Sequence, residues 1–403
     1  MGREKALLFI GGLLALIVTA CSGSPKEENN IQAQEQAQEQ TQSDGLQEMA
    51  SLTWSTEQIG EGIKPAFALD DDGVVHIAFL SEDEHGHVYY ANNSSGPFES
   101  VQVSEGYFYG PVDIAVDANG KPFIAYHDHQ ETAFMPELGD EVVAYLDGGS
   151  WEIITVQHPG HDGWDNSITV DSNGAWHTAA IDPSQFGSQD GVEYATNSSG
   201  TISVTPVGSG PVKYEFGTSI QLKSDGRPAI TYYNDGDQRL EYAVLVDGSW
   251  SVEVVDENGD AGRYSSLAFD AEGGPHISYY VATSQTTGIV RYAWSDDGSW
   301  QVEDVDTLEN IQMGHVGARK ITALVIGGDG VPHLAYTDRD RLVYASRGDS
   351  GWTAQEVAKA GDTPLGQLVE LEIDVQGNPH LIWFEATSFS PMLEGIVIYA
   401  SGS

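Results

Sequence analysis

Leu52-Thr53-Trp54-Ser55-Thr56-Glu57-Gln58-Ile59 stands ahead of the first repeat of this 403-residue chain and has the form of a repeat's last run. Six segments downstream read apolar run, turn, second apolar run, loop, Tyr-Ala run, turn, Trp-led run. The seventh stops at Ile398-Tyr399-Ala400-Ser401 with no Trp-led run after it. The piece missing at the end of the array therefore sits at its beginning, and such an array closes into a ring.

The repeats are anchored by a tight turn after each first run. It reads Asp70-Asp71-Asp72-Gly73, Asp117-Ala118-Asn119-Gly120, Asp171-Ser172-Asn173-Gly174, Lys223-Ser224-Asp225-Gly226, Asp270-Ala271-Glu272-Gly273, Gly327-Gly328-Asp329-Gly330 and Asp374-Val375-Gln376-Gly377. Asp and Asn side chains close such turns, and Gly takes the positive φ at their end. Neighbouring anchors are 47 to 57 residues apart. A Tyr recurs in every third run: Tyr90, Tyr145, Tyr194, Tyr242, Tyr292, Tyr344 and Tyr399. Fourth runs open with Trp151, Trp250, Trp300 and Trp352, with Phe98 and Ile202 in two other units, and Trp54 supplies the seventh. Four short apolar runs per unit at this period predict an all-β fold, a seven-bladed β-propeller of four-stranded blades, closed by an N-terminal strand completing the last blade. First runs alternate large and small residues (Leu267 and Phe269 against Ser266 and Ala268), so neighbouring sheets can nest.

The N-terminus reads as a targeting segment. Arg3 and Lys5 precede an apolar stretch from Ala6 to Val18, too short for a confident membrane span. The ending Val18-Thr19-Ala20-Cys21 resembles the lipobox of bacterial lipoproteins, which implies cleavage before Cys21 and lipidation of its sulfur. Residues 1–20 are read as the lipoprotein signal peptide. Residues 21–50 are read as the lipidated cysteine and a disordered tether rich in Gln and Glu, and residues 51–403 as the propeller. The implied location is the bacterial cell envelope, extracytoplasmic and held to the membrane through the lipid. Ser22 points to the outer membrane where the host has one, and otherwise the anchor is the outer leaflet of the plasma membrane. Cys21 is the only cysteine, so no intramolecular disulfide forms.

The formal net charge is −44, from 61 acidic and 17 basic residues. Such a surface repels nucleic acid and anionic polysaccharide. It does not by itself indicate calcium, because Asp70-Asp71-Asp72-Gly73 lacks the spaced ligands of a Ca²⁺ loop.

In a propeller, the connections from second to third strand and from blade to blade share one face. Here they are long and irregular, whereas the opposite face carries short, uniform turns. Function is expected on the long-loop face. His76, His177, His276, His333 and His380 fill one column that elsewhere holds Phe123 and Ala229, which marks them as structural. The other histidines fall in long loops. Residues two apart in extended chain project to one side, so His85 with His87, and His127 with His129, can each present two imidazoles, with His161 nearby in sequence. These five are the candidate ligands of a divalent metal, Zn or Ca, with imidazole and carboxylate favouring Zn. Tyr107, Tyr109, Trp164, Tyr214, Arg263, Tyr264 and Arg319 occupy the same face as candidate ligand-binding residues, since exposed aromatics stack on sugars or anchor protein partners.

Ser295-Asp296-Asp297-Gly298-Ser299-Trp300 resembles the Asp-box turn of sialidase-like propellers, with shortened copies at Val246-Asp247-Gly248-Ser249-Trp250 and Asp349-Ser350-Gly351-Trp352. The repeat as a whole is similar to those of bacterial secreted propellers. In the sialidase-like family this turn is structural and lies away from the active site, so the resemblance assigns no catalytic residue. The expected role is a monomeric binding or scaffold module for a glycan or protein, rather than an enzyme. The alternative is a carbohydrate-active enzyme, a glycoside hydrolase or polysaccharide lyase. There His127, His129 and His161 would serve as metal ligands or base, with Arg263 and Arg319 orienting substrate.

Overall fold

In a computed structural model the chain forms seven antiparallel four-stranded sheets in sequence order. The structure describes residues 47–48, 51–81, 86–104, 107–108, 110–129, 139–156, 163–182, 191–208, 210–212, 216–296, 298–311, 320–361, 364–388 and 393–403. The first blade runs from Ile63–Leu69 through Val75–Leu80 and Val88–Asn92 to Glu99–Ser104. In the second blade the first strand is split, and Tyr107–Phe108 and Asp113–Val116 both pair with Pro122–His129. First strands pack against the first strands of both neighbours, and Leu365–Ile373 of the seventh blade packs against Ile63–Leu69 of the first. The ring is closed, with these strands innermost.

Closure is made as the sequence predicts. Trp54–Glu61 pairs antiparallel with Glu394–Gly402, from Trp54 opposite Gly402 to Glu61 opposite Ile396. The Tyr and Trp columns then fall into place. The third-strand Tyr of one blade meets the fourth-strand Trp of the next edge-on: Tyr90 with Trp151, Tyr194 with Trp250, Tyr242 with Trp300, and Tyr292 with Trp352. Tyr344 of the sixth blade meets Trp54, at 5.6 Å between ring centroids. Trp54 thus fills the fourth-strand position of the seventh blade, and the edge-to-face geometry is the one that ring quadrupoles favour.

Five blades carry the structural histidine, which bonds to the third strand, and in three of them it also reaches the turn. Nδ1 of His76, His177 and His333 lies 2.6–2.7 Å from the hydroxyl of Tyr90, Tyr194 and Tyr344, and His276 and His380 pair likewise with Tyr292 and Tyr399. On the other side of the ring, Nε2 of His76, His276 and His380 faces the turn aspartate: Asp70, Asp270 and Asp374. Where Phe123 replaces the histidine, Lys121 lies over Tyr145 at 4.1 Å instead. Outside this scheme, Gln47–Glu48 adds a short parallel strand to the outer edge of the sixth blade, against Thr353 and Ala354.

Candidate functional site

Counting back from the turn aligns the innermost strands. Four residues before each turn stand Ala66, Asp113, Ser167, Ser219, Ser266, Ala323 and Glu370. These side chains face the next blade, and the polar ones stitch the ring. Asp113 accepts from the Ile168 amide, Ser219 from Leu267, Ser266 from Leu324, and Glu370 from Phe67, at 2.9–3.2 Å. Two columns earlier the chain bulges. Lys64, Asp165, Gly217 and Tyr264 occupy equivalent positions, and all have positive φ, from 44° to 72°. Three of the four are not glycine, so the backbone carries local strain at the long-loop end of the ring. The bulge turns carbonyls sideways: Thr218 donates to the Asp165 carbonyl at 3.1 Å and Thr322 to that of Tyr264 at 2.9 Å. Bulges re-aim side chains, and here they turn Lys64, Asp165 and Tyr264 into buried positions.

The innermost strands bring together a set of charges that the sequence did not single out. Lys320 Nζ donates to Glu370 Oε1 at 2.7 Å, with Asp113 and Glu372 close enough to act on the pair. Burial is the main influence on each carboxyl. It raises Asp113, and it lifts Glu370 to about 7 despite the Lys320 ammonium. Glu372 also stands at about 7, through burial and then the charge of Glu370. Burial pulls Lys320 down, but Glu370 and Asp113 outweigh it, so the ammonium stays above its ordinary value. Lys320 keeps 33% of its side-chain surface and Glu370 only 9%, so solvent reaches the pair from the lysine side. Higher up, burial lowers Lys64 to about 8 against the opposing effect of Asp165.

These shifts act on stability with opposite signs. Glu372 titrates higher in the fold than in the unfolded chain. Its contribution is full below about pH 4.5 and is lost as pH rises through about 7. Burial lowers His76, His177 and His333, so theirs is full above about 6.5 and is lost on acidification. Glu372→Gln should therefore raise the melting temperature at pH 8, by an effect on the order of 1–3 kcal/mol, and change it little at pH 4.5. Equal shifts at both pH values would refute the assignment.

The predicted ligand-binding residues divide. Arg263 is buried, ion-paired with Asp260, and lies over Phe216 with its guanidinium carbon 4.4 Å from the ring centroid. Tyr233 donates to the same Asp260 at 2.6 Å. Tyr264 is 2% exposed and packs on Phe216 and Tyr280. Trp164 is half-buried and lies against His127, with ring centroids 4.7 Å apart and ring planes tilted by 32°. Gly139 makes room there, since a Cβ would stand 2.5 Å from His127 Cε1. Tyr109, Tyr214 and Arg319 lie outside the described residues, and for Tyr107 only the backbone is described.

Of the candidate metal ligands, His127 is buried against Trp164, and the amide of His87 donates to Ser81 Oγ at 2.8 Å, closing a hairpin loop. Only the backbone of His129 is described, and His85 and His161 lie outside the described residues, as does Cys21. Among the described residues no group of three or more His, Cys, Asp or Glu is placed to hold a metal ion.

Sequence reasoning missed Lys64, Asp113, Lys320, Glu370 and Glu372. The signal was in the columns: Asp113 and Glu370 are charged where other blades carry Ala or Ser, on a strand covered from both sides.

No family model matches the chain, and no curated protein matches it in sequence. Solved structures share its fold. An ulvan lyase, from a new family of polysaccharide lyase and bound to -[GlcA(1-4)Rha3S]-, superposes with a TM-score of 0.60 at 13% identity, over 87% of this chain and 96% of its own. The α-L-arabinofuranosidase Arb93A from Fusarium graminearum, in complex with an iminosugar inhibitor, gives a TM-score of 0.50 at 12% identity, over 72% and 92%. At these identities the likeness is one of fold: the chain is a seven-bladed β-propeller.

Proposed function

We propose that the chain is a lipid-anchored extracytoplasmic propeller that takes up a glycan on its long-loop face. One observation carries this reading. Where the innermost strands begin, half-buried Trp164 stands in a ring whose described cations already have carboxylate counter-charges: Arg263 with Asp260, Lys320 with Glu370, and Lys64 beside Asp165. An aromatic face with hydrogen-bonding groups but little uncompensated positive charge suits a neutral polyhydroxyl chain. The two similar structures, one holding -[GlcA(1-4)Rha3S]- and the other an iminosugar, are compatible with a glycan in general, while its neutrality rests on the charge argument alone. Uronic or sulfated chains suit this protein poorly, given its net charge of −44.

A glycan array probed with the full-length chain in detergent tests the reading. Neutral oligosaccharides should bind, and Trp164→Ala should weaken them roughly tenfold, the scale of one lost aromatic contact. Binding confined to acidic glycans, or to none, would sink it. The anchor is tested separately: Cys21→Ser should abolish incorporation of labelled fatty acid and release the chain from membranes. A variant that stays labelled would remove the lipid from the proposal.

The second reading, a carbohydrate-active enzyme, draws on the carboxyls of Glu370 and Glu372, both standing near neutrality. Perturbed acids gathered in one place are a feature of acid–base sites.

A further inference from the structure

The short strand Gln47–Glu48 lies outside the blade pattern, and its pairing is parallel: Gln47 opposite Thr353 and Glu48 opposite Ala354. Its host, Gly351–Lys359, is the outer strand of the sixth blade and starts at the turn between Gly348 and Gly351, on the short-turn face. A parallel partner runs the same way, so the chain comes onto the ring from that face. It is held again at Leu52, whose amide donates to Gln355 Oε1 at 2.8 Å and whose carbonyl accepts from Gln355 Nε2 at 3.0 Å. Gln355 stands opposite Tyr344. The same place in the fourth, fifth and seventh blades holds Glu253, Glu303 and Glu57, opposite Tyr242, Tyr292 and Tyr399. A carboxylate has no proton for the Leu52 carbonyl, whereas an amide both donates and accepts. The sixth blade thus carries the side chain that this backbone needs. Its edge is also better covered. Ala354 is half-buried, whereas Val252 and Val302, likewise two residues after a tryptophan, are 38% and 39% exposed. Leu52 and Trp54 join the apolar cluster shared by the sixth and seventh blades.

We propose that residues 47–61 are a load-bearing clasp, which passes tension on the chain ahead of Gln47 into the sixth blade before it reaches the seventh. The source of that tension rests on the lipid-anchor reading above: a ring held through Cys21 and through a ligand on its long-loop face is pulled along this segment. The need comes from how the ring closes. The outer strand of the sixth blade is joined to its neighbour by a covalent turn, but Trp54–Glu61 meets Glu394–Gly402 through hydrogen bonds and packing alone. Tension entering at Thr53 would fall first on that seam, and the clasp takes it up one blade earlier. Direction matters as much as place. Trp54 lies opposite Gly402, at the short-turn end, and Glu61 lies opposite Ile396. A pull away from the short-turn face therefore runs along both Gln47–Glu48 and Trp54–Glu61. It shears their ladders, so the hydrogen bonds of each ladder must break together. A pull that separates Thr53 from Ser403 instead peels the same seam one pair at a time. The ladder at Gln47–Glu48 has only two pairs and yields first, which lets the segment lengthen before the ring is loaded.

Force spectroscopy on single full-length chains tests the clasp, since forced opening reports the unfolding barrier along the direction pulled. Cys21 is the only cysteine, so a chain made without lipidation takes one handle there. The second handle goes on Gln285→Cys, in an exposed long-loop-face connection of the fifth blade, or on Ser403→Cys, whose two bonds to Thr53 are made by backbone. The chain ahead of Gln47 is the same in both geometries. Pulled through position 285, the molecule should first lengthen by up to about 20 Å, the reach of residues 47–52 once freed. The ring should then open at a force severalfold above that needed through position 403. Gln355→Glu should lower the force of the first step and leave the ring-opening force unchanged, with cooperative melting retained because the ladder of Trp54–Glu61 is untouched. Equal forces in the two geometries, no first step, or a first step unmoved by Gln355→Glu would overturn the proposal. If Gln355→Glu does not fold, the comparison of the two directions still decides. Fatty-acid labelling of Cys21 is read independently. Its failure removes the source of tension and leaves the clasp standing, whereas a failed force pattern refutes the clasp and leaves the anchor.

Discussion

Deleting residues 51–61 is expected to abolish the single cooperative melting transition of the propeller. Strand Trp54–Glu61 supplies the whole fourth-strand ladder of the seventh blade against Glu394–Gly402. It is extended by Thr53 and Ser403, which exchange both backbone hydrogen bonds at 2.9 and 3.1 Å. Leu52 is clasped by Gln355, which accepts from its amide and donates to its carbonyl. Without the segment, Tyr344 loses Trp54, and Glu394–Gly402 becomes an open edge. The lost ladder contributes about 1 kcal/mol per hydrogen bond, and truncating a packed Trp costs about 3–5 kcal/mol when fully buried. Their sum approaches the 5–15 kcal/mol that usually holds a domain together. Trp54→Ala alone should lower the transition without abolishing it, because Trp54 is only half-buried and the ladder remains. A synthetic peptide of residues 47–62, added in trans, should restore the transition by strand addition. A deletion variant that melts like the intact chain would show that the ring is not latched here.

The architecture was legible because it repeats. Seven Tyr positions, seven turns and one displaced Trp-led run specify blades, order and closure, and each signal has a local cause in turn chemistry or alternating burial. The candidate site was legible only in part. Long loops pointed to a face, and Trp164 on that face proved half-buried and packed at a tilt against His127. Whether an aromatic or arginine in a connection faces solvent depends on what folds over it, and that is not written locally. Arg263 sits between Asp260 and Phe216, forty-seven positions from the ring it covers. The charged set was hidden for a related reason. Asp113, Lys320 and Glu370 come from blades far apart in sequence, and only ring closure brings the seventh blade beside the first. The bulges at Lys64, Asp165 and Tyr264 leave no signature either, since none of these residues favours positive φ as glycine does.

Asp256→Ala should be the most damaging single substitution at the junction of the fourth and fifth blades. Its carboxylate is fully buried and accepts four hydrogen bonds: from the Tyr279 hydroxyl at 2.7 Å, Arg291 Nη1 at 3.0 Å, and the backbone amide and side-chain Nδ2 of Asn258 at 2.9 and 3.0 Å. Asp256 ends the fourth blade's last strand, whereas Tyr279 and Arg291 belong to the fifth, so the group fastens one blade to the next. The next junction repeats the device with Asp306, Tyr336 and Arg341. Removing one partner from a buried charged set costs about 3–5 kcal/mol, because the others stay desolvated and unpaired. Arg291 supplies the control. Its Nε also pairs with Asp304 at 2.6 Å, but Asp304 is 59% exposed. Exposed ion pairs contribute about 0–1 kcal/mol, so Asp304→Ala should scarcely move the urea midpoint. One arginine with two aspartates at similar distances thus separates burial from proximity as the cause. If the Asp304 variant lost as much stability as the Asp256 variant, burial would not be what gives the junction its strength, and the same reasoning for Asp306 would fall with it.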